Sequence, residues 1–389
     1  MAPVVTRPLP QALVGGSTVA VRWSTTIQPS SLKRGLNTAL FFPGHGVQRV
    51  GMANTWMSHF PRTTTRHLDE MDSILGFKLS QVIRDGPNSR LNQTQNAQPA
   101  VMAVSVLILR ILEDEFNFDI GSRVDVTLGH SLGEFAALVA SRHLQFPDAL
   151  RLVRRRAEVM AQCTRRMVEQ SGDTYGMVAL ICEPDHLESL LRTVNEFLGL
   201  GTSHLDDTGH PPIRQVMVAN INSPNQIVLS GSIERIRVLL VQLRQFGGHD
   251  PRAVRLKSDS PFHSPVMLPA AEDMKIAMQE VDITFPGIVP CISNVSALPF
   301  KSKQDLKHLL SRQCIDTVRW WESIRYLHQN KGVQRWIGIG PGKVGRNLVG
   351  KEVGRVNTKG GGVWAVCNPK EMEETLKALE QTEPEAYCI

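Results

Sequence analysis

Ser131 stands between two glycines in the stretch Thr127-Leu128-Gly129-His130-Ser131-Leu132-Gly133-Glu134. A Gly-x-Ser-x-Gly turn that joins a strand to a helix pushes the serine hydroxyl out of the end of a sheet, where it is exposed for nucleophilic attack. The helix that follows directs its unpaired N–H groups and positive dipole end at whatever the serine attacks. A serine hydroxyl is a weak nucleophile at neutral pH and needs a base within hydrogen-bond reach. Of the twelve histidines, His263 in Ser260-Pro261-Phe262-His263-Ser264 is the best placed. His130 adjoins the serine, but neighbouring side chains at so sharp a turn diverge, so it reads as a packing or lining residue. A run of arginines (151, 154, 155, 156, 165 and 166) supplies the third element of chemistry. Most arginines on a helix face are solvated or pair with neighbours at helical spacing. One turned inward would grip a substrate carboxylate with its planar fork. The residues alone leave open which one.

The elements that must position these groups are legible on either side. A β-prone run at 124–128 enters the serine turn, and an apolar helix-forming run at 135–140 leaves it. A hydrophobic strand at 38–42 runs into Pro43-Gly44-His45-Gly46-Val47-Gln48. A Gly-rich turn at a strand's carboxyl end is where open α/β sheets place ligand-binding backbone. Helical runs follow near 52–60 and 64–75, then a core helix at about 99–116, and after the serine a helix at about 147–169 with Pro147 in its first turn.

Near Gly172 the rhythm changes. Strand 176–182, helix 184–198, a polar loop at 199–212, strands 215–219 and 227–230, helix 232–246 and strand 253–257 follow one another. The order β-α-β-β-α-β is the split βαβ pattern of a ferredoxin-like module. Strand and helix then alternate again, with strand 288–293, a helix across 320–330 and strand 334–339. His263 thus falls where the small module ends and the chain returns to the larger domain. The expected fold class is α/β: a large domain of residues 36–172 and 258–389, with an inserted small subdomain at 173–257.

Composition narrows the function. The chain has 389 residues, 42% of them apolar and 21% charged, as in an ordinary globular protein. Its longest apolar stretch, 101–112, is interrupted by Arg110 and is too short to span a bilayer, so it reads as a buried core helix. Six scattered cysteines without a Cys-x-x-Cys pair argue against a disulfide framework or a zinc site and for a reducing interior. A net charge of +6, without basic blocks interleaved with aromatics, gives little support to nucleic-acid binding. It suits phosphate-bearing small molecules or an acidic protein partner. The amino terminus differs from the rest: residues 1–68 hold no Asp or Glu but do hold Arg7, Arg22, Lys33, Arg34, Arg49, Arg62 and Arg66. Residues 1–35 are also rich in Ser and Thr. That is the composition of an organellar transit peptide, so mitochondrial import and a matrix location are expected.

Four motifs in order carry a resemblance: Phe42-Pro43-Gly44-x-Gly46-x-Gln48, Gly129-His130-Ser131-Leu132-Gly133-Glu134, Phe262-His263-Ser264 and Gly338-Ile339-Gly340-Pro341-Gly342-Lys343-Val344. They resemble the malonyl-CoA:acyl-carrier-protein transacylases and the related acyltransferase domains of fatty acid and polyketide synthases, over about residues 38–350. The resemblance implies an α/β-hydrolase-like large domain with a ferredoxin-like insert. It implies Ser131 as nucleophile, His263 as base and Arg156 as the residue that binds the malonyl carboxylate. It also implies an oxyanion hole from the backbone N–H groups of Leu132 and His45, with Asn220, Asn222 and Asn294 near the acyl group. Two positions depart from the family pattern. His45 stands where Gln is usual. Arg319 is placed where bacterial members often carry Gln, whose main-chain oxygen orients the catalytic histidine. Phe262 resembles the malonyl-selecting form of the synthase domains.

The expected activity is transfer of malonyl from malonyl-CoA to the phosphopantetheine thiol of acyl carrier protein, supplying fatty acid synthesis. No cofactor, metal or membrane span is expected, and the acting unit is expected to be a monomer. Basic residues such as Arg154, Arg155, Arg165 and Arg166 are candidates for steering an acidic carrier protein. The rivals are a serine thioesterase or hydrolase acting on acyl-CoA and a non-catalytic binding protein on the same fold. A hydrolase normally needs an acid between serine and histidine in chain order, and hydrolysis has no use for an inward arginine.

Overall fold

The computed structural model describes residues 37–199, 216–354 and 361–382. The basic leader expected at 1–35, the polar loop from residue 200 on, and Cys388 lie outside the described residues. Two sheets organise the rest. The larger is a five-stranded parallel sheet of β1 (Asn37–Phe42), β2 (Val126–Gly129), β7 (Cys291–Ile292), β8 (Val333–Ile339) and β9 (Gly362–Val366), in the order β7-β2-β1-β8-β9. The smaller is antiparallel and consists of β3 (Tyr175–Ile181), β4 (Met217–Ser223), β5 (Gln226–Ser232) and β6 (Arg252–Arg255), in the order β4-β5-β3-β6. With helices Leu187–Phe197 and Ile233–Gln245 between its strands, the small unit has the ferredoxin-like arrangement.

Strand β1 is central. It pairs in parallel with β2 (Leu40 opposite Thr127) and with β8 (Leu40 opposite Ile337). A strand flanked on both sides and covered on both faces must be apolar throughout, which is why Ala39-Leu40-Phe41-Phe42 shows no polar alternation. The N–H of His130 donates to the carbonyl of Phe42 at 3.0 Å, so the carboxyl ends of β1 and β2 lie side by side. The glycines of the serine turn are required by close approach. A Cβ on Gly129 would lie 2.0 Å from the carbonyl carbon of Gly133, and one on Gly133 would lie 2.6 Å from the carbonyl oxygens of both Phe42 and Pro43.

Helix Thr94–Phe116 begins earlier than the expected start near 99 and carries Pro99 in its interior. Proline has no N–H, so the carbonyl of Gln95 loses its helical donor. Arg154 Nη1 supplies the replacement, donating to Gln95 O at 2.6 Å. The helix therefore continues through the proline and delivers Gln98 to the interior. Its apolar residues 100–109 are buried on nearly every side, in keeping with a core helix. Two other elements differ from expectation. The strand expected at 288–293 shortens to the two residues of β7, and the helix expected across 320–330 ends as an α-helix at Arg325, with a wider turn over Tyr326–Asn330. Strand β9 and helix Pro369–Thr382 complete the C-terminal part.

A short parallel bridge joins the small sheet to a segment of the large domain. The N–H of Val318 donates to Ala219 O at 2.8 Å, and the N–H of Ile221 returns a bond to Val318 O at 3.0 Å. Thr317 Oγ1 adds a bond of 2.6 Å to Val218 O. The segment that follows helix Lys303–Arg312 thus stitches β4 to the large domain, next to the serine turn.

Candidate active site

Ser131 and His263 meet at the carboxyl ends of β1 and β2. Ser131 Oγ lies 2.7 Å from His263 Nε2, and both residues are buried. Each adopts a left-handed backbone, with φ of 51° and 54°. For an L-residue other than glycine this costs roughly 1–2 kcal/mol, and such strain clusters where function demands a fixed geometry. The surroundings hold it in place. The N–H of Ser131 donates to Asn294 Oδ1 at 2.7 Å, and Asn294 Nδ2 donates to Gly129 O at 2.6 Å, so one side chain brackets the turn. His263 Nδ1 lies 2.7 Å from the main-chain oxygen of Gln313. A carbonyl can only accept, so the ring proton sits on Nδ1 and the Nε2 lone pair faces the serine hydroxyl. Burial first, then the charge of Arg156, hold the ring down at a pKa of about 3, so it is a neutral base.

Arg156 is 1% exposed. Helix Phe146–Ser171 places it on the inward stripe with Ala149, Leu152, Val153 and Met160. Its Nη1 donates to Gln98 Oε1, and its Nη2 donates to Gln313 Oε1 at 3.0 Å and lies 3.4 Å from Ser131 Oγ. Its Nε has no partner. The neighbouring arginines are otherwise engaged. Arg154 pairs with Glu158 at 2.6 Å, Arg155 pairs with Asp273 at 2.8 Å, and Arg165 and Arg166 are exposed.

Behind the serine turn lies Glu134, fully buried. It accepts from the N–H of Asn294 at 3.1 Å and from Gln313 Nε2, and burial pushes its carboxyl up to about 8. Gln313 is therefore a hub. Its main chain orients His263, while its amide donates to Ser131 O at 2.8 Å and to Glu134 and accepts from Arg156.

In front of the serine a cavity of about 390 Å³ opens between the two sheets. Apolar Met177, Val228, Leu256 and Phe262 line it, Arg255 and Lys257 are part of its wall, and among the described residues no carboxylate contributes. Among the described residues, neither the N–H of Leu132 nor that of His45 has an acceptor in the protein. The Leu132 side chain is 1% exposed and packs in the core, which leaves only its main chain for the site. The His45 ring meets Phe262 edge to face at 5.6 Å between centroids, and both its nitrogens are buried and unpartnered. Asn220 and Asn222 lie on β4 against His130. His130 Nε2 donates to Asn222 Oδ1 at 2.9 Å, and Asn220 Nδ2 is 3.3 Å from the same nitrogen. Both asparagines also line the cavity, with the His130 ring packed on Trp320.

Arg319 requires correction. It is not the residue whose carbonyl orients His263. That oxygen belongs to Gln313, six residues earlier, in the turn after helix Lys303–Arg312. The Arg319 guanidinium pairs with Glu322 and reaches toward the carbonyls of Val295 and Ser296. What Arg319 contributes is its main-chain N–H, which donates to Asn294 O at 2.9 Å. Gln98 is a second residue absent from the sequence reading. Among the described residues no group of His, Cys, Asp or Glu is arranged to hold a metal, and no helix is long and apolar enough to cross a membrane.

A serine at a strand–helix elbow, a neutral histidine set by a carbonyl, and a buried guanidinium beside the hydroxyl define a serine acyltransferase. The chain matches the acyl transferase domain family over residues 40–185. It is 36% identical over 343 residues to the malonyl CoA-acyl carrier protein transacylase of Bacillus subtilis, an alignment covering 88% of this chain and 97% of that protein. Among solved structures, the acyl-carrier-protein S-malonyltransferase of Bartonella henselae superposes with a TM-score of 0.72 at 33% identity, over 89% of this chain and all of that one. A malonyl-transacylase solved in complex with a type II polyketide synthase acyl-carrier protein gives 0.72 at 28% identity, over 89% of this chain and 99% of that one. The chain belongs to the malonyl-CoA:acyl-carrier-protein transacylase family.

Proposed function

We propose that this protein transfers a malonyl group from malonyl-CoA to the phosphopantetheine thiol of acyl carrier protein through malonyl-Ser131. One observation carries the reading: Ser131 Oγ lies 2.7 Å from a neutral imidazole nitrogen and 3.4 Å from the Arg156 guanidinium. Nucleophile, base and carboxylate receptor thus share one buried site.

In the first half-reaction His263 Nε2 takes the hydroxyl proton as Oγ attacks the thioester carbonyl. The tetrahedral oxyanion is held by the N–H groups of Leu132 and His45, each such donor being worth about 3 kcal/mol. The intermediate collapses, the C–S bond breaks, and the CoA sulfur leaves with the proton from His263. In the second half, the carrier's thiol gives its proton to His263 and attacks the serine ester, and the proton returns to Ser131 Oγ. Arg156 holds the malonyl carboxylate throughout, and Asn294 and Gln313 keep the turn and the imidazole in place. Asn220, like Asn222, reaches the site through His130. The cavity between the sheets accommodates the pantetheine arm of either substrate.

The test is mass spectrometry of the protein after malonyl-CoA, with and without acyl carrier protein. The malonyl mass is expected on the peptide containing Ser131 and is expected to move to the carrier. Release of free malonate in the presence of carrier would favour the hydrolase reading instead.

The physiological setting is part of the proposal. The acid-free, Arg- and Ser-rich first 35 residues support import into the mitochondrial matrix, where the malonyl carrier would feed fatty acid synthesis. An N-terminal sequence of the native protein beginning at Met1 or Ala2 would count against it. Every residue of the site comes from one chain, which supports a monomer as the acting unit.

A further inference from the structure

Arg156 is a buried cation with no carboxylate partner among the described residues. Buried arginines are ordinarily paired with an acid, because an uncompensated charge in the interior is costly. Here every acceptor is neutral: the amide oxygens of Gln98 and Gln313 and, at 3.4 Å, the Ser131 hydroxyl. The orientation of the second amide is dictated by its neighbours. Gln313 Nε2 faces Ser131 O, which can only accept, and Glu134; its oxygen is therefore the atom left for Arg156. Glu134, the nearest acid of this network, stands on the far side of that amide and is held by the N–H of Asn294 and by Gln313. Burial raises its carboxyl toward the neutral form. Arg156 Nε, meanwhile, is buried and unpartnered.

We propose that Gln98 and Gln313 are positioning residues that select for a carboxylated acyl group by fixing the Arg156 guanidinium without neutralising it. A carboxylate in the same places would orient the fork equally well but would spend its charge inside the fold. With amides, the counter-anion that the fold withholds is brought by the acyl group itself. A malonyl carboxylate compensates the buried cation, and an acetyl group leaves it bare. The inference rests on the reading of Ser131 as an acyl-serine station.

The experiment exchanges one atom for another of similar size. In Gln98→Glu the acceptor and the shape are kept and a permanent anion is added. In Gln98→Met the volume is kept and both acceptor and charge are absent. Acyl-serine formation is measured for malonyl-CoA and acetyl-CoA with each purified full-length protein, alongside a thermal unfolding midpoint as a check on folding. Gln98→Glu is expected to lose at least tenfold of the malonyl-over-acetyl ratio in kcat/KM, mainly through KM for malonyl-CoA. Gln98→Met is expected to be slower with both substrates while keeping the preference for malonyl. If Gln98→Glu fails to fold, Gln98→Asp brings the same anion on a shorter side chain and is read in the same way, while Gln313 is left intact because its amide also donates to Ser131 O and Glu134. Wild-type discrimination in the folded Glu variant overturns the proposal, as does an equal loss in Gln98→Met, which would make geometry rather than charge the cause. A wild-type protein that forms no adduct on Ser131 refutes the acyl-serine reading instead, so the two failures are distinguishable.

Discussion

Arg156→Ala removes the cation 3.4 Å from Ser131 Oγ and leaves two amides facing a cavity. Losing one partner of a buried charge pair costs about 2–5 kcal/mol. The kcat/KM for malonyl-CoA should therefore fall by a factor of tens to thousands, while that for acetyl-CoA falls far less; equal losses for both would show that the guanidinium does not read the carboxylate. His263 makes a second prediction. Its ring is held at about 3 by burial and by Arg156, so it remains unprotonated well below the ordinary histidine value. A pH profile of kcat/KM for acylation should stay flat from pH 8 to about 5.5, and a half-loss near 6.5 would contradict this. Residues of this kind differ in how visible they are from sequence. Ser131 is legible because a nucleophile turn needs glycines at fixed offsets. Arg156 carries a signal that composition hides: it alone of the arginines from 151 to 156 falls on the 149–152–153–156–160 spacing of the buried stripe. The His263 anchor is different. A main-chain oxygen has no residue signature, so Gln313 could not be distinguished by type, and Arg319 was an offset of six residues from the atom that acts.

At the scale of elements, the serine turn works because two backbones nearly touch. Gly129→Ala would force a Cβ to within 2.0 Å of the Gly133 carbonyl carbon, both backbone atoms on rigid elements. The expected result is a drop in the unfolding midpoint together with loss of acyl-enzyme; a variant of wild-type stability and rate would mean that the turn is looser than its contacts imply. The alternation of the small module is legible because half-buried antiparallel strands show period two and their helices show apolar stripes. Boundaries are less so. Pro99 suggests a helix start, yet the helix begins at Thr94 because Arg154, far along the chain, takes the carbonyl that the proline leaves unpaired. Likewise β7 keeps only two paired residues, because Pro290 inside the expected run has no N–H to give to a ladder.

Across the molecule, among the described residues, five histidines (45, 67, 130, 143 and 263) are held below their ordinary value, with burial the largest cause in each. In the window below about 6.5 the unfolded chain takes up protons there that the native protein refuses, so stability falls as pH falls. Glu113 and Glu134 act oppositely, since burial raises both and the native state keeps protons that the unfolded chain loses above about 4.5. Five groups outweigh two, and urea midpoints should drop from pH 7 to pH 5; a rise would mean that the carboxyls dominate. The sheet order has a different consequence, one that concerns synthesis. Strand β1 is made well before its neighbour β8, which begins at Val333, and the oxygen that sets the histidine belongs to residue 313. A growing chain on the ribosome carries serine, arginine and histidine long before it can hold them together. The central strand stays half-paired and apolar until β8 has been made, and the site stays unassembled until then.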